Sequence, residues 1–97
     1  MPAYIISRVN IHDSEIMGSY MEQAPATVRA YGGKYLARTQ DIEVLEGAAE
    51  FDRMVVLEFP DKDAALAWYH SQEYHHLRSA RWEAASAQIV VVPGEMI

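Results

Sequence analysis

The chain contains no cysteine, which excludes disulfides, thiolate nucleophiles and thiolate metal sites at once. Its longest apolar runs, such as Ile89-Val90-Val91-Val92-Pro93, fall far short of the roughly 20 residues that cross a bilayer. Lysine is scarce: only Lys34 and Lys62 accompany six scattered arginines. Against 14 acidic side chains this leaves a formal charge of −6. No basic stripe exists to neutralise a phosphate backbone, so nucleic acid is not an expected partner. A negative surface also opposes docking on anionic lipid, so no membrane partner is expected. The segment from Met1 to Glu15 has no basic stretch followed by a long apolar core, as a secretory signal would, and a cytoplasmic location is the expectation.

What remains is ordinary globular material: 97 residues, 51% hydrophobic and 23% charged. That is one domain, residues 1–97, and no linker, repeat or low-complexity tract divides it. A domain this short buries only about 60–65% of its unfolded surface, so association with a second copy would help it.

Ala3 to Ile11, rich in Ile, Val and Tyr, predicts a strand. Asp13 offers an N-cap, and Ile16, Tyr20, Ala24, Val28 and Tyr31 form one apolar stripe of a helix ending near Tyr31. Pro25 predicts a kink, and Gly32-Gly33 a left-handed stop. Lys34 to Thr39 predicts a second strand, Glu43 to Glu46 a short extension or hairpin arm, and Gly47 to Asp52 a loop. Arg53 to Phe59 is a third strand. Asp61 caps a helix through His70, Ser71 interrupts it and caps another from Gln72 to Ala85, and Ile89 to Val92 is the last strand.

This order fits an α+β fold of the ferredoxin-like βαββαβ kind, a four-stranded antiparallel sheet with its helices on one face. A sheet face in water should be polar. Here the face away from the helices carries Tyr4, Ile6, Met54 and Val56 together with Arg8 and Glu58. These six residues are the expected interface of a homodimer.

Several motifs carry a family resemblance: Tyr31-Gly32-Gly33-Lys34-Tyr35-Leu36, Leu45-Glu46-Gly47, Val56-Leu57-Glu58-Phe59-Pro60, Ala67-Trp68-Tyr69, Glu73-Tyr74 and Arg81. In this order, over nearly the whole chain, they resemble domain-of-unknown-function family 1330 of the dimeric α/β-barrel superfamily. The resemblance implies a ferredoxin-like protomer and a homodimer whose two sheets face each other as a barrel. It implies no particular reaction, since relatives include cofactor-free monooxygenases, lactone isomerases and haem enzymes. The quinone-forming monooxygenases are similar in having a Trp, a Tyr six residues later and an Arg downstream, which Trp68, Tyr74 and Arg81 match loosely. Their pocket asparagine, four residues before the Trp, is replaced here by Ala64.

The candidate pocket is therefore Tyr20, Tyr31, Arg38, Trp68, Tyr69, Tyr74 and Arg81. Arg81 suits a planar anion; Arg38 is either a pocket base or an interface ion-pair partner. In the plainer reading Trp68 and Tyr74 pack the core, and Arg81 pairs with a carboxylate such as Glu58. The four histidines, His12, His70, His75 and His76, hold no metal-binding spacing: on a continuous helix His70 and His75 would point about 140° apart. No metal and no cofactor are expected, and His12-Asp13 reads as a helix start. Two functional classes fit. One is a cofactor-independent enzyme acting on an aromatic or enolisable anion, with Tyr or His moving protons and Arg81 holding charge. The other is a non-catalytic dimer that binds a small ligand or another protein.

Overall fold

A computed structural model describes residues 1–95. Its central strand is β1 (Ala3–Ile11), which pairs antiparallel with both β3 (Arg53–Phe59) and β4 (Ala85–Pro93). The strand β2 (Lys34–Thr39) adds outside β3, giving the order β2-β3-β1-β4. Helices α1 (Ser14–Ala30), α2 (Lys62–Tyr69) and α3 (Gln72–Ala84) cover one face. This is the ferredoxin-like arrangement with its second helix broken in two.

The helix ends follow from local chemistry. Asp13 accepts from the backbone N–H groups of Glu15 and Ile16, both at 3.1 Å, satisfying donors at the positive end of α1. At the other end Gly32 has φ +80°. Gly32 N–H donates to Arg29 O, and Gly33 N–H to Val28 O, both at 3.0 Å, the pairing of a Schellman stop. The helix runs unbroken through Pro25. Asp61 caps α2 through Ala64 N–H at 2.8 Å.

The core lies between helices and sheet. Ile5, Leu57 and Phe59 meet Val28, Ala65, Trp68 and Tyr74, while Val9 meets Met17, Ala84 and Ala85 at the other end. Full burial of each large side chain contributes about 1.5–3 kcal/mol. On the opposite face Tyr4, Ile6, Met54, Val56 and Glu58 are half-buried, and Arg8 is exposed. Val90 and Val92, 39% and 36% exposed, extend that apolar surface across β4. Arg8 stands opposite Met54, and Glu58 opposite Tyr4, so the two charges do not meet. Arg8 reaches Gln88 at 3.3 Å, and Glu58 pairs with Lys34 at 3.4 Å.

Two expectations need correction. Residues Glu43 to Glu46 form no strand. The side chain of Asn10 anchors the end of the loop that follows, donating to Glu50 O at 2.7 Å and accepting from Asp52 N–H at 3.0 Å. Strand β4 begins at Ala85 rather than Ile89. The Ala-Ser-Ala-Gln stretch has weak strand propensity, but its pairing from Ile11↔Ala85 onward overrides it.

Gly33 tests this packing. A Cβ there would stand 2.6 Å from Phe59 and 2.8 Å from Val28. Gly33→Ala is expected to cost about 1–3 kcal/mol through overpacking, read by chemical denaturation.

Candidate functional site

Ser71 builds the site. Its hydroxyl donates to Trp68 O at 2.7 Å, ending α2, and accepts from Tyr74 N–H at 3.2 Å, starting α3. On one continuous helix, residues six apart would point about 120° away from each other. Across this break the rings of Trp68 and Tyr74 stack at 4.2 Å between centroids. Trp68 is fixed further by its indole N–H, which donates to Thr27 Oγ1 at 3.0 Å, and Thr27 in turn donates to Ala24 O at 2.7 Å.

These rings and the sheet enclose a cavity with about 40 Å³ open to water-sized molecules. Its buried end is lined by Ile5, Ser7, Trp68, Tyr74 and Arg81, and its accessible rim by Met21, Tyr35, Arg38 and Arg53. Tyr74 is fully buried, and its hydroxyl lies 2.5 Å from that of Tyr20. Burial, reinforced by Tyr74, pushes the Tyr20 hydroxyl well above its ordinary value, while Arg81 pulls the other way. Tyr20 is therefore protonated at neutral pH and is not a base, and one hydroxyl of the Tyr20–Tyr74 pair donates to the other.

Arg81 is only 4% exposed, and its Nε–H is buried with no hydrogen-bond partner among the described residues. It does not pair with Glu58, which sits on the far face with Lys34. Arg38 lies over the Tyr35 ring at 4.8 Å. Burial first, and then Arg38, hold the Arg53 guanidinium below its ordinary value. No aspartate, glutamate or histidine lines the cavity among the described residues.

Of the seven pocket candidates, the structure brings Tyr20, Arg38, Trp68, Tyr74 and Arg81 together. Tyr31 is elsewhere: its hydroxyl donates to Glu73 at 2.8 Å on the surface. Tyr69 also lies outside, sandwiching the Arg78 guanidinium with Trp82 at 4.8 and 5.2 Å. All four histidines are exposed and outside the cavity, so the proton-moving role expected of His has no support in this geometry. His12 instead contacts Ser86 Oγ at 2.7 Å. Among the described residues no cluster of three His, Asp or Glu stands close enough to hold a metal ion. Sequence reasoning missed Arg53 and Tyr35. For Arg53 a signal existed, since two-residue periodicity places it on the face of Val55 and Leu57. For Tyr35 it did not. A bulge at Leu36 puts Tyr35 and Arg38, three residues apart, on one face, opposite Leu57 and Val55.

A family model described as a domain of unknown function (DUF1330) matches residues 2–95. No functionally curated protein matches the chain significantly. Among solved structures, a protein of unknown function from Rhodopseudomonas palustris superposes with a TM-score of 0.80 at 16% identity, covering 99% of this chain and 84% of that one. SnoaB, a cofactor-independent oxygenase from Streptomyces nogalater, gives 0.68 at 11% identity over 99% of this chain and 95% of its own. A dimeric ferredoxin-like protein of unknown function from Jannaschia sp. CCS1 gives 0.68 at 13%, over 97% and 100%. At these identities the shared property is the fold.

The raised Tyr20 and Tyr35 hydroxyls predict a pH dependence. A phenol held neutral by folding contributes stability that is full below about pH 10, the unfolded value, and is lost as pH rises toward the folded one. Denaturation midpoints are expected to fall above about pH 10. Tyr74→Phe removes two of the causes that raise Tyr20, so ultraviolet titration is expected to show Tyr20 ionising at lower pH in that variant.

Proposed function

We propose that this chain, which belongs to the DUF1330 family, binds a small planar anion of the aromatic or enolisable kind in the cavity between its helices and sheet. The observation that carries this reading is Arg81, buried and, among the described residues, without a carboxylate partner in a cavity lined by two more arginines. A buried charge left uncompensated is costly. A carboxylate or enolate oxygen supplied by a ligand would offset that cost and fit the guanidinium fork.

The remaining lining favours a flat molecule. Trp68 and Tyr74 give aromatic surfaces, and Ile5, Val9 and Leu57 give apolar ones. The inner space of about 40 Å³ takes only a small head group, so the rest of the molecule would lie toward the rim. The Tyr20–Tyr74 hydroxyl pair is suited to donate a hydrogen bond to an oxygen that gains negative charge, which is how an enolate or phenolate is stabilised. With no carboxylate or imidazole in the lining among the described residues, turnover would require a substrate acidic enough to ionise itself. The fold shared with a cofactor-independent oxygenase supports transformation of that kind, although the asparagine expected four residues before the Trp is Ala64 here. The same missing base favours the second reading, a dimer that binds such an anion without converting it.

The partner in either reading is a second copy of the chain. The face bearing Tyr4, Ile6, Met54, Val56, Val90 and Val92 is too apolar for water, with Arg8 and Glu58 at its polar margin. The dimeric neighbour from Jannaschia supports a homodimer, and this apolar face is where its two sheets would meet.

Fluorescence titration at low ionic strength tests the site, using benzoate with neutral benzamide as control and Trp82→Phe to silence the surface indole. Benzoate is expected to perturb Trp68 and benzamide to leave it unchanged, with Arg81→Ala weakening benzoate about ten-fold or more. Equal effects of the two compounds would refute the anion site. Light scattering tests the assembly: the chain is expected at twice its own mass at micromolar concentration, and Val56→Asp at the mass of one protomer.

A further inference from the structure

Arg38 and Arg53 stand on neighbouring strands of the cavity floor. Arg38 pairs with Val55, and Arg53 is two residues along the same strand on the same face. They are thus diagonal neighbours within reach of each other's long side chains. Like charges so placed repel, and Arg38 does disfavour the charged form of Arg53. Within the described protein the relief is partial: Tyr35, held neutral by burial, and then Asp52 favour the charged form of Arg53, and no carboxylate lines the cavity to offset the pair. The only ion pair among the described residues joins Lys34 to Glu58 on the opposite face, and Asp52, a smaller favourable influence on Arg53, does not line the cavity. Stacking on Tyr35 holds the Arg38 fork at the rim. Arg81, by contrast, belongs to α3 and to the buried end. An anionic group that satisfies Arg81 beside Trp68 and Tyr74 leaves the rim pair only partly relieved.

We infer that the cavity takes a dianion: one anionic group seated against Arg81 at the buried end, and a second held between Arg38 and Arg53 at the rim. This deepens the anion-binding reading and rests on it. The substrate class narrows to planar dicarboxylates, or to enolisable and phenolic compounds that also carry a carboxylate. A chain of net charge −6 repels such molecules over most of its surface. Three of its six arginines gathered in one cavity reverse that sign locally, which would favour a doubly charged ligand over singly charged ones.

Calorimetric titration of the intact protein at low ionic strength compares benzoate with the 1,2-, 1,3- and 1,4-benzenedicarboxylates. At least one dicarboxylate is expected to bind about ten-fold or more tightly than benzoate, as a second charge-assisted contact provides. Arg38→Gln and Arg53→Gln are each expected to weaken the dicarboxylate by a much larger factor than benzoate, removing most of that advantage. Circular dichroism checks folding, and Arg53→Lys, which keeps the charge and loses the fork, substitutes if Arg53→Gln unfolds, with the advantage again expected to shrink. Benzoate binding with no dicarboxylate advantage, or an advantage that survives both rim variants, overturns the dianion and leaves the anion site standing. Failure of every acid to bind overturns both.

Discussion

One hydroxyl group makes the cavity possible. Ser71 takes the Trp68 carbonyl in the last turn of α2 and the Tyr74 N–H in the first turn of α3, and so breaks what would otherwise be a single long helix. Without the break, Trp68 and Tyr74 would point to different sides of one cylinder. With it, they stack, and Arg81 comes in from α3 beside them. The interaction is ordinary in strength, about 1 kcal/mol per hydrogen bond. Its importance is geometric, since it sets the direction of every residue that follows until the sheet takes over.

The second organising fact is a segregation of charge. The sheet face away from the helices holds the Lys34–Glu58 pair at its margin, and the loop after β2 contributes acidic groups to solvent. The cavity beneath the helices is lined by arginines and tyrosines with no acid among the described residues. Burying Arg81 in this way costs the folding chain free energy, because the guanidinium loses most of its water and receives no counter-charge among the described residues. Sites that lower stability in this manner are ordinarily kept for function.

Much of the architecture is written in local chemistry that a reader of the sequence can use. The caps at Asp13, Asp61 and Ser71 and the stop at Gly32-Gly33 mark the helix boundaries, and alternation marks β1 and β3. The parts that were not legible depend on partners distant in sequence. Ala85 to Gln88 becomes a strand because β1 is waiting for it. Glu43 to Glu46 finds no strand to pair with and stays a loop. In the site, Trp68, Tyr74, Tyr20, Arg38 and Arg81 were all nameable from residue type and helical spacing, yet Tyr31 and Tyr69 carry the same features and lie elsewhere. No periodicity distinguishes a tyrosine that turns inward from one that finds a surface carboxylate, and none reveals the bulge at Leu36 that brings Tyr35 into the cavity.

The passage from α3 into β4 has no intervening loop: Ala84 ends the helix, Ala85 begins the strand, and the carbonyl of Ala84 accepts from both His12 N–H and Asp13 N–H at 2.7 and 3.0 Å. Helix and strand are therefore geared together. Adding or deleting one residue there would rotate Arg81 by about 100° around its helix or exchange the two faces of β4. The junction is consequently closed to length variation, whereas the thirteen-residue stretch 40–52 between β2 and β3 can absorb it. Divergence of this fold toward new ligands is thus channelled into substitutions around a fixed frame on one side and into remodelled loops on the other.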